Sequence, residues 1–263
     1  MNENWIRRVE VETWLEFKEL IDRRVRQSGT DQRTSAVFRG QSKSAWKLVA
    51  SFDRAVTEVP GAARVEVHDQ MVREARQRLI VAQEIPEQPP IDDVDLAALL
   101  QHEGAQTRLL DWTASPYIAA FFAFSSVEAF GGKRVSEDGF SAVFELREDC
   151  DAVASDRGMS VVRPSHQWNP RAAAQQGLFT MNRSPVESVE EFLALCYAHD
   201  DPPEPPLIKY VLPHTEVQHA LRDLELMGIS SQSLFPGRMG IVRYSFYRAL
   251  DSGLSAPRTP VQP

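Results

Sequence analysis

The sequence predicts an α+β domain. Short β-prone runs and helical stretches alternate irregularly along its 263 residues, without the βαβ repeat of a doubly wound fold. The stretch Tyr117 to Phe124 (YIAAFFAF) is apolar on every side and belongs in the centre of the fold. A composition of 43% apolar and 25% charged residues is that of a globular chain, which excludes disorder, a fibre and a disulfide scaffold.

Thr13 with Glu16 forms a capping box for the first helix, and Trp14, Phe17, Ile21 and Val25 follow as its apolar stripe. Ser35 to Phe38 is a β-prone run ending at Arg39-Gly40. Residues 63–83 read as a long helix with Asp69–Arg73 and Glu74–Arg78 on its wet side. Val67, Met71, Ala75 and Leu79 make its dry side. A helix over Asp93 to His102 should stop at Gly104. Ser115 and Pro116 are the N-cap and first position of the buried helix. Ser141–Leu146, Ser160–Arg163, Gly177–Thr180 and Leu207–Leu212 read as strands, and Glu187–Ala198 as a helix. Thr215 caps a helix carrying Val217, Ala220, Leu221 and Leu224, which Gly228 stops. Gly240 to Leu250 makes the last helix, with Val242, Phe246 and Ala249 on one side. The proline-rich joints Glu84–Pro90 and Asp200–Pro206 are loops within one domain. That domain spans residues 10–250, and 251–263 form a flexible tail.

With 29 basic and 37 acidic side chains the net charge is −8, which disfavours a whole-surface hold on nucleic acid but permits a local basic groove. No apolar run reaches the ~18 residues of a membrane span. The N-terminus has no h-region, and Cys150 and Cys196 are isolated. The expectation is a cytoplasmic protein with reduced thiols and no membrane partner. No P-loop, GxGxxG, HExxH, GxSxG or zinc spacing occurs, and no metal is expected.

Four polar segments could carry chemistry. In Phe38-Arg39-Gly40-Gln41, a guanidinium at a strand end can clamp phosphate, and Gly40 lets a backbone or ligand come close. The bland reading is an arginine that satisfies carbonyls. Residues 101–113 (QHEGAQTRLLDWT) hold His102, Thr107, Arg108, Asp111 and Trp112 just before the buried helix. Arg108 and Asp111 are a candidate ion pair, equally able to be structural. His102 is a candidate acid–base group or a core histidine. Asn169-Pro170-Arg171 with Gln175-Gln176 can place amides in a cleft. Gly228 to Gly237 reads as a helix stop and a turn, with packing its expected role.

In this order, the four segments resemble the FRG domain family. The matches are FRGQ at 38–41, Trp46, Leu48 and Arg54, the long motif at 101–124, NPRAAAQQGLFT at 169–180 and GISSQSLFPGRMG at 228–240. The chain departs from the pattern at Gln106, where proline is common, and at Arg238-Met239. The family's motif order resembles ADP-ribosyltransferase-like folds, which implies a central, mostly antiparallel split sheet flanked by helices. It also implies NAD as substrate, with Arg39, Thr107 (with Thr113 and Ser115) and Gln175 or Gln176 as the three motif positions. Arg39, Gly40, Arg108, Trp112 and Gln175 would bind NAD. Arg39, His102, Thr107, Asp111 and Gln176 would form the catalytic set. Because an amide stabilises positive charge less well than a carboxylate, Asp111 or Glu103 would have to supply one.

The leading expectation is an NAD-consuming ADP-ribosyltransferase or glycohydrolase, a toxin or anti-phage effector with a macromolecular acceptor and an inhibitory or antitoxin partner. The alternative is a non-catalytic module binding a nucleotide, nucleic acid or protein in the same cleft. A third reading is a hydrolase using His102 with Asp111.

Overall fold

Seven strands pair into one sheet in a computed structural model, which describes residues 4–27, 36–128, 139–155, 157–165, 170–199 and 201–255. The strands are β1 (Ile6–Glu10), β2 (Ala36–Gln41), β3 (Leu109–Thr113), β4 (Phe140–Arg147), β5 (Met159–Val162), β6 (Gly177–Asn182) and β7 (Leu207–Pro213). They lie in the order β1-β7-β4-β2-β3-β6-β5. Only β1 and β7 run parallel; the other neighbours are antiparallel. β4 pairs along six residues of β2, whereas β2 and β3 share the single pair Phe38–Thr113. The sheet parts there.

The helices are α1 (Trp14–Gln27), α2 (Ser51–Ala55), α3 (Gly61–Val81), α4 (Asp93–His102), α5 (Pro116–Glu128), α6 (Asp151–Ala154), α7 (Pro170–Ala174), α8 (Val189–Cys196), α9 (Val217–Leu226), α10 (Ser231–Leu234) and α11 (Arg238–Ser255). Strand alternation sends Ala36, Phe38 and Val143 to one face, where α1, α5 and α9 cover them. Val37, Ala142 and Phe144 go to the other, against α8. Leu109, Phe179 and Met181 meet α3 and α4 in a third cluster. The wholly apolar α5 is central as expected, with Ala119, Ala120, Ala123 and Phe124 fully buried. Ser115 Oγ accepts from Ile118 N at 3.3 Å, so it caps α5.

Several expectations need correction. On α3 the buried residues are Arg64, His68 and Val72, while Val67 is exposed: the first half of the helix meets an ionic cluster, and Met71 and Leu79 of the expected dry side pack against the third apolar cluster. Arg73 pairs with Glu66 at 2.7 Å rather than with Asp69. Thr13 Oγ1 accepts from Glu16 N at 3.2 Å, but Glu16 reaches back to Glu12 N, one residue early. Thr215 lies inside a 3-10 turn, so it is no N-cap for α9. Val242 and Phe246 are exposed on α11, which runs to Ser255, five residues into the expected tail. The side chain of Val25, Asn169 and residues 256–263 lie outside the described residues. β1 and β3 escaped prediction: two exposed arginines interrupt the pattern of β1 at a sheet edge, and β3 lies inside the polar motif before the buried helix.

Candidate functional site

A cleft of about 630 Å³ opens where β2 and β3 part. Phe38, Gly40, Asp111 and Thr113 line it, with Arg39 and Gln41 from the opposite face of β2, as expected for an opening between two strands. Trp46, Lys47, Val49 and Arg54 close one side; Phe122, Arg171 and Gln175 close the other. A smaller cavity of about 220 Å³, containing Gln101 and His102, shares Asp111, Trp112, Arg171 and Gln175 with it.

The walls are cationic. Arg39, Lys47, Arg54 and Arg171 face one acid, Asp111, and Lys47 is already held by Glu191 at 2.9 Å. Arg39 Nη1 donates to the Asp111 carbonyl at 2.7 Å and stands 3.6 Å from its carboxylate, while Arg39 Nε has no hydrogen-bond partner among the described residues. Burial pulls the Arg39 guanidinium below its ordinary value, Asp111 opposes this and Arg54 adds to it. Arg171 is lowered by burial and then by Arg243, again against Asp111. Both remain charged near neutral pH, and an anion in the cleft would relieve both penalties. Gln101 Nε2 donates to Asp111 Oδ1 at 2.8 Å and orients an otherwise exposed carboxylate.

The structure brings Arg39, Gly40, Asp111, Trp112 and Gln175 to the main cleft, and His102 to the smaller cavity beside it. Several of the candidates also serve the fold. Arg108 does not pair with Asp111: it stands one residue before β3, three positions from Asp111, and turns into the core while Asp111 is exposed. Arg108 instead binds buried Asp53 at 3.1 Å and the carbonyls of Ser184 and Val186. Thr107 is buried, donates to Gln101 Oε1 and accepts from Leu109 N. Trp112 is core, 3% exposed, with its indole N–H donating to Thr180. Gly40 lies against α5: an added Cβ would overlap the Ala119 carbonyl and come 2.6 Å from Ala123 N, so the close approach is by backbone. Gln176 is exposed in a left-handed turn at φ 46° and lines neither cavity. His102 is an exposed wall of the smaller cavity and no hydrogen bond joins it to Asp111. Glu103 is exposed and lines neither cavity; Glu145 is buried beneath Arg24 and Tyr210.

Trp46, Arg54 and Arg171 had only a matching position in the sequence and no assigned role. The signal for Trp46 and Arg54 was an aromatic and a cationic residue soon after β2, where the structure has a 52%-exposed indole and a cleft-lining guanidinium.

Residues 34–131 match the model of the FRG domain family, from the start of β2 to the end of α5. No curated protein and no solved structure matches the chain. No helix among the described residues is long and apolar enough to cross a membrane.

Proposed function

The chain carries an FRG domain at residues 34–131, and we propose that its cleft binds NAD and cleaves the nicotinamide–ribose bond. The observation that carries this reading is the meeting of Arg39 and Asp111 at the open seam of the sheet. Arg39, with its free Nε, and Arg54 hold the pyrophosphate. Trp46 offers a flat surface to a ring. Asp111 lies beside the ribose. The bond from nicotinamide nitrogen to C1′ breaks, its electron pair leaves with neutral nicotinamide, and an oxocarbenium ion remains, stabilised by the Asp111 carboxylate. Water or an acceptor nucleophile then attacks C1′ and releases its proton. The parted, mostly antiparallel sheet supports likeness to ADP-ribosyltransferases, in which a toxin or anti-phage role with a macromolecular acceptor would fit.

The test is incubation of the purified chain with NAD labelled in its adenylate half, beside Arg39→Ala and Asp111→Asn. Nicotinamide release that both variants lose supports the reading, and label movement identifies the acceptor. Equal release by Asp111→Asn would remove the carboxylate from the mechanism.

A second reading, a binding module without chemistry, is favoured by one observation. The Thr113 hydroxyl is spent on the Gln175 carbonyl at 2.8 Å, so no free hydroxyl assists Asp111 there. Nucleotide that raises the melting temperature without nicotinamide release would favour it.

A further inference from the structure

Two guanidinium groups pack on the ring of Phe235, which follows α10. The Arg171 carbon lies 4.3 Å from the ring centroid and the Arg243 carbon 4.6 Å. Arg171 comes from α7 and Arg243 from α11, so two separate elements converge on one ring. Neither arginine has a carboxylate partner among the described residues, whereas Arg248, five residues after Arg243, meets Glu225 at 3.6 Å. The ring is itself held by Phe122, a wall of the main cleft, at 6.0 Å between centroids, and Gln175 Nε2 ties the Leu234 carbonyl at 3.0 Å to the same wall. Arg171 lines both cavities. Cation–π contact gathers the two like charges but does not neutralise them. A dianionic phosphate would.

We infer that Arg171 and Arg243, both packed on Phe235, form a second anion subsite beside the Arg171 wall of the cleft, which takes a dianionic phosphate group of the nucleotide. This rests on the reading of the main cleft as a nucleotide site, and it selects among nucleotides: one with a dianionic phosphate group besides its pyrophosphate is preferred. That group is either the 2′-phosphate of a nicotinamide dinucleotide or the terminal phosphate of a nucleoside triphosphate.

Calorimetric titration of the full chain with NAD, NADP and ATP tests it. Beside it stand Arg243→Gln, which alters an exposed side chain, and Arg171→Lys, which keeps the charge but loses the fork. NADP or ATP is expected to bind about tenfold tighter than NAD, and Arg243→Gln to erase that advantage while NAD binding holds. Arg171→Lys should weaken the favoured ligand severalfold. Loss with NADP alone identifies the 2′-phosphate; loss with ATP alone identifies the terminal phosphate. An advantage that survives Arg243→Gln, or no binding of any of the three, overturns the subsite. Arg243-dependent binding without nicotinamide release from NAD or NADP would leave the subsite standing and sink the cleavage reaction.

Discussion

Arg39 Nη1 holds the main-chain carbonyl of Asp111 at 2.7 Å, directly beside the one residue pair that joins β2 to β3. The bond ends on backbone, so it does not depend on which side chain stands at position 111. The carboxylate at 3.6 Å is therefore available to a ligand, while the bridge itself fixes the mouth of the cleft.

This separates fold from function at two adjacent positions. Asp111→Asn keeps the bridge and the amide neighbour Gln101, and should change stability by less than about 0.5 kcal/mol. Arg39→Ala removes one charge-assisted bond and should cost about 2 kcal/mol. Urea unfolding of both variants, read beside nicotinamide release, checks the difference: Asp111→Asn is expected to lose turnover with an unchanged midpoint.

Gly40→Ala should be far more damaging than its size suggests. The new methyl meets the backbone of α5 at Ala119 and Ala123, which no rotamer change can relieve. A loss of about 3 kcal/mol or more is expected as α5 is pushed off the sheet. Gly104→Ala is the control. Its φ of +95° strains an alanine, but nothing lies within 4 Å of the added Cβ, so about 1 kcal/mol is expected. Equal midpoints for the two variants would refute the packing argument.

These contrasts show what the sequence could and could not reveal. α5 was legible because Ser115, Pro116 and the apolar run agree on its start and burial. The long motif at 101–113 was also legible as a unit, yet its side chains divide: Asp111 reaches the cleft, while Arg108 and Thr107 turn inward. The partners of Arg108 and Asp111, at positions 53 and 39, are long-range contacts that no local pattern encodes. The cationic cleft was hidden for the same reason: Arg39, Arg54 and Arg171 come from distant segments of an acidic chain.

The buried ionic cluster under α3 should make stability depend on pH through His68. Its ring is 3% exposed at the side chain, edge-on to Phe52 at 5.5 Å, with Nε2 unpartnered and Nδ1 3.4 Å from Asp69. Burial lowers its pKa from the ordinary 6.5; Asp69 and Asp53 oppose this and Arg108 adds to it. The unfolded chain thus binds this proton more readily than the folded one. Its contribution is fully present above pH 6.5 and declines as pH falls toward the lowered folded value, by at most about 1.4 kcal/mol per pH unit. His68→Leu should flatten urea midpoints measured between pH 5 and 7; an unaltered slope would assign the dependence to other groups.

Trp46 provides the cleanest probe of the ligand's ring. Its indole is 52% exposed on the rim of the cleft, with Lys43 Nζ 5.5 Å from the ring centroid, so its removal disturbs little packing. Trp46→Ala should leave the melting temperature within about 1 °C of the parent. A base or nicotinamide stacked on it contributes about 1–3 kcal/mol, so the dissociation constant for NAD should rise about tenfold or more. Trp14 is buried outside the cleft and Trp112 lines it from the core, so quenching of tryptophan emission by NAD should shrink in the variant to the share that Trp112 reports. Unchanged affinity with unchanged quenching would mean that the ring lies elsewhere, and the smaller cavity beside His102 would become the place to look.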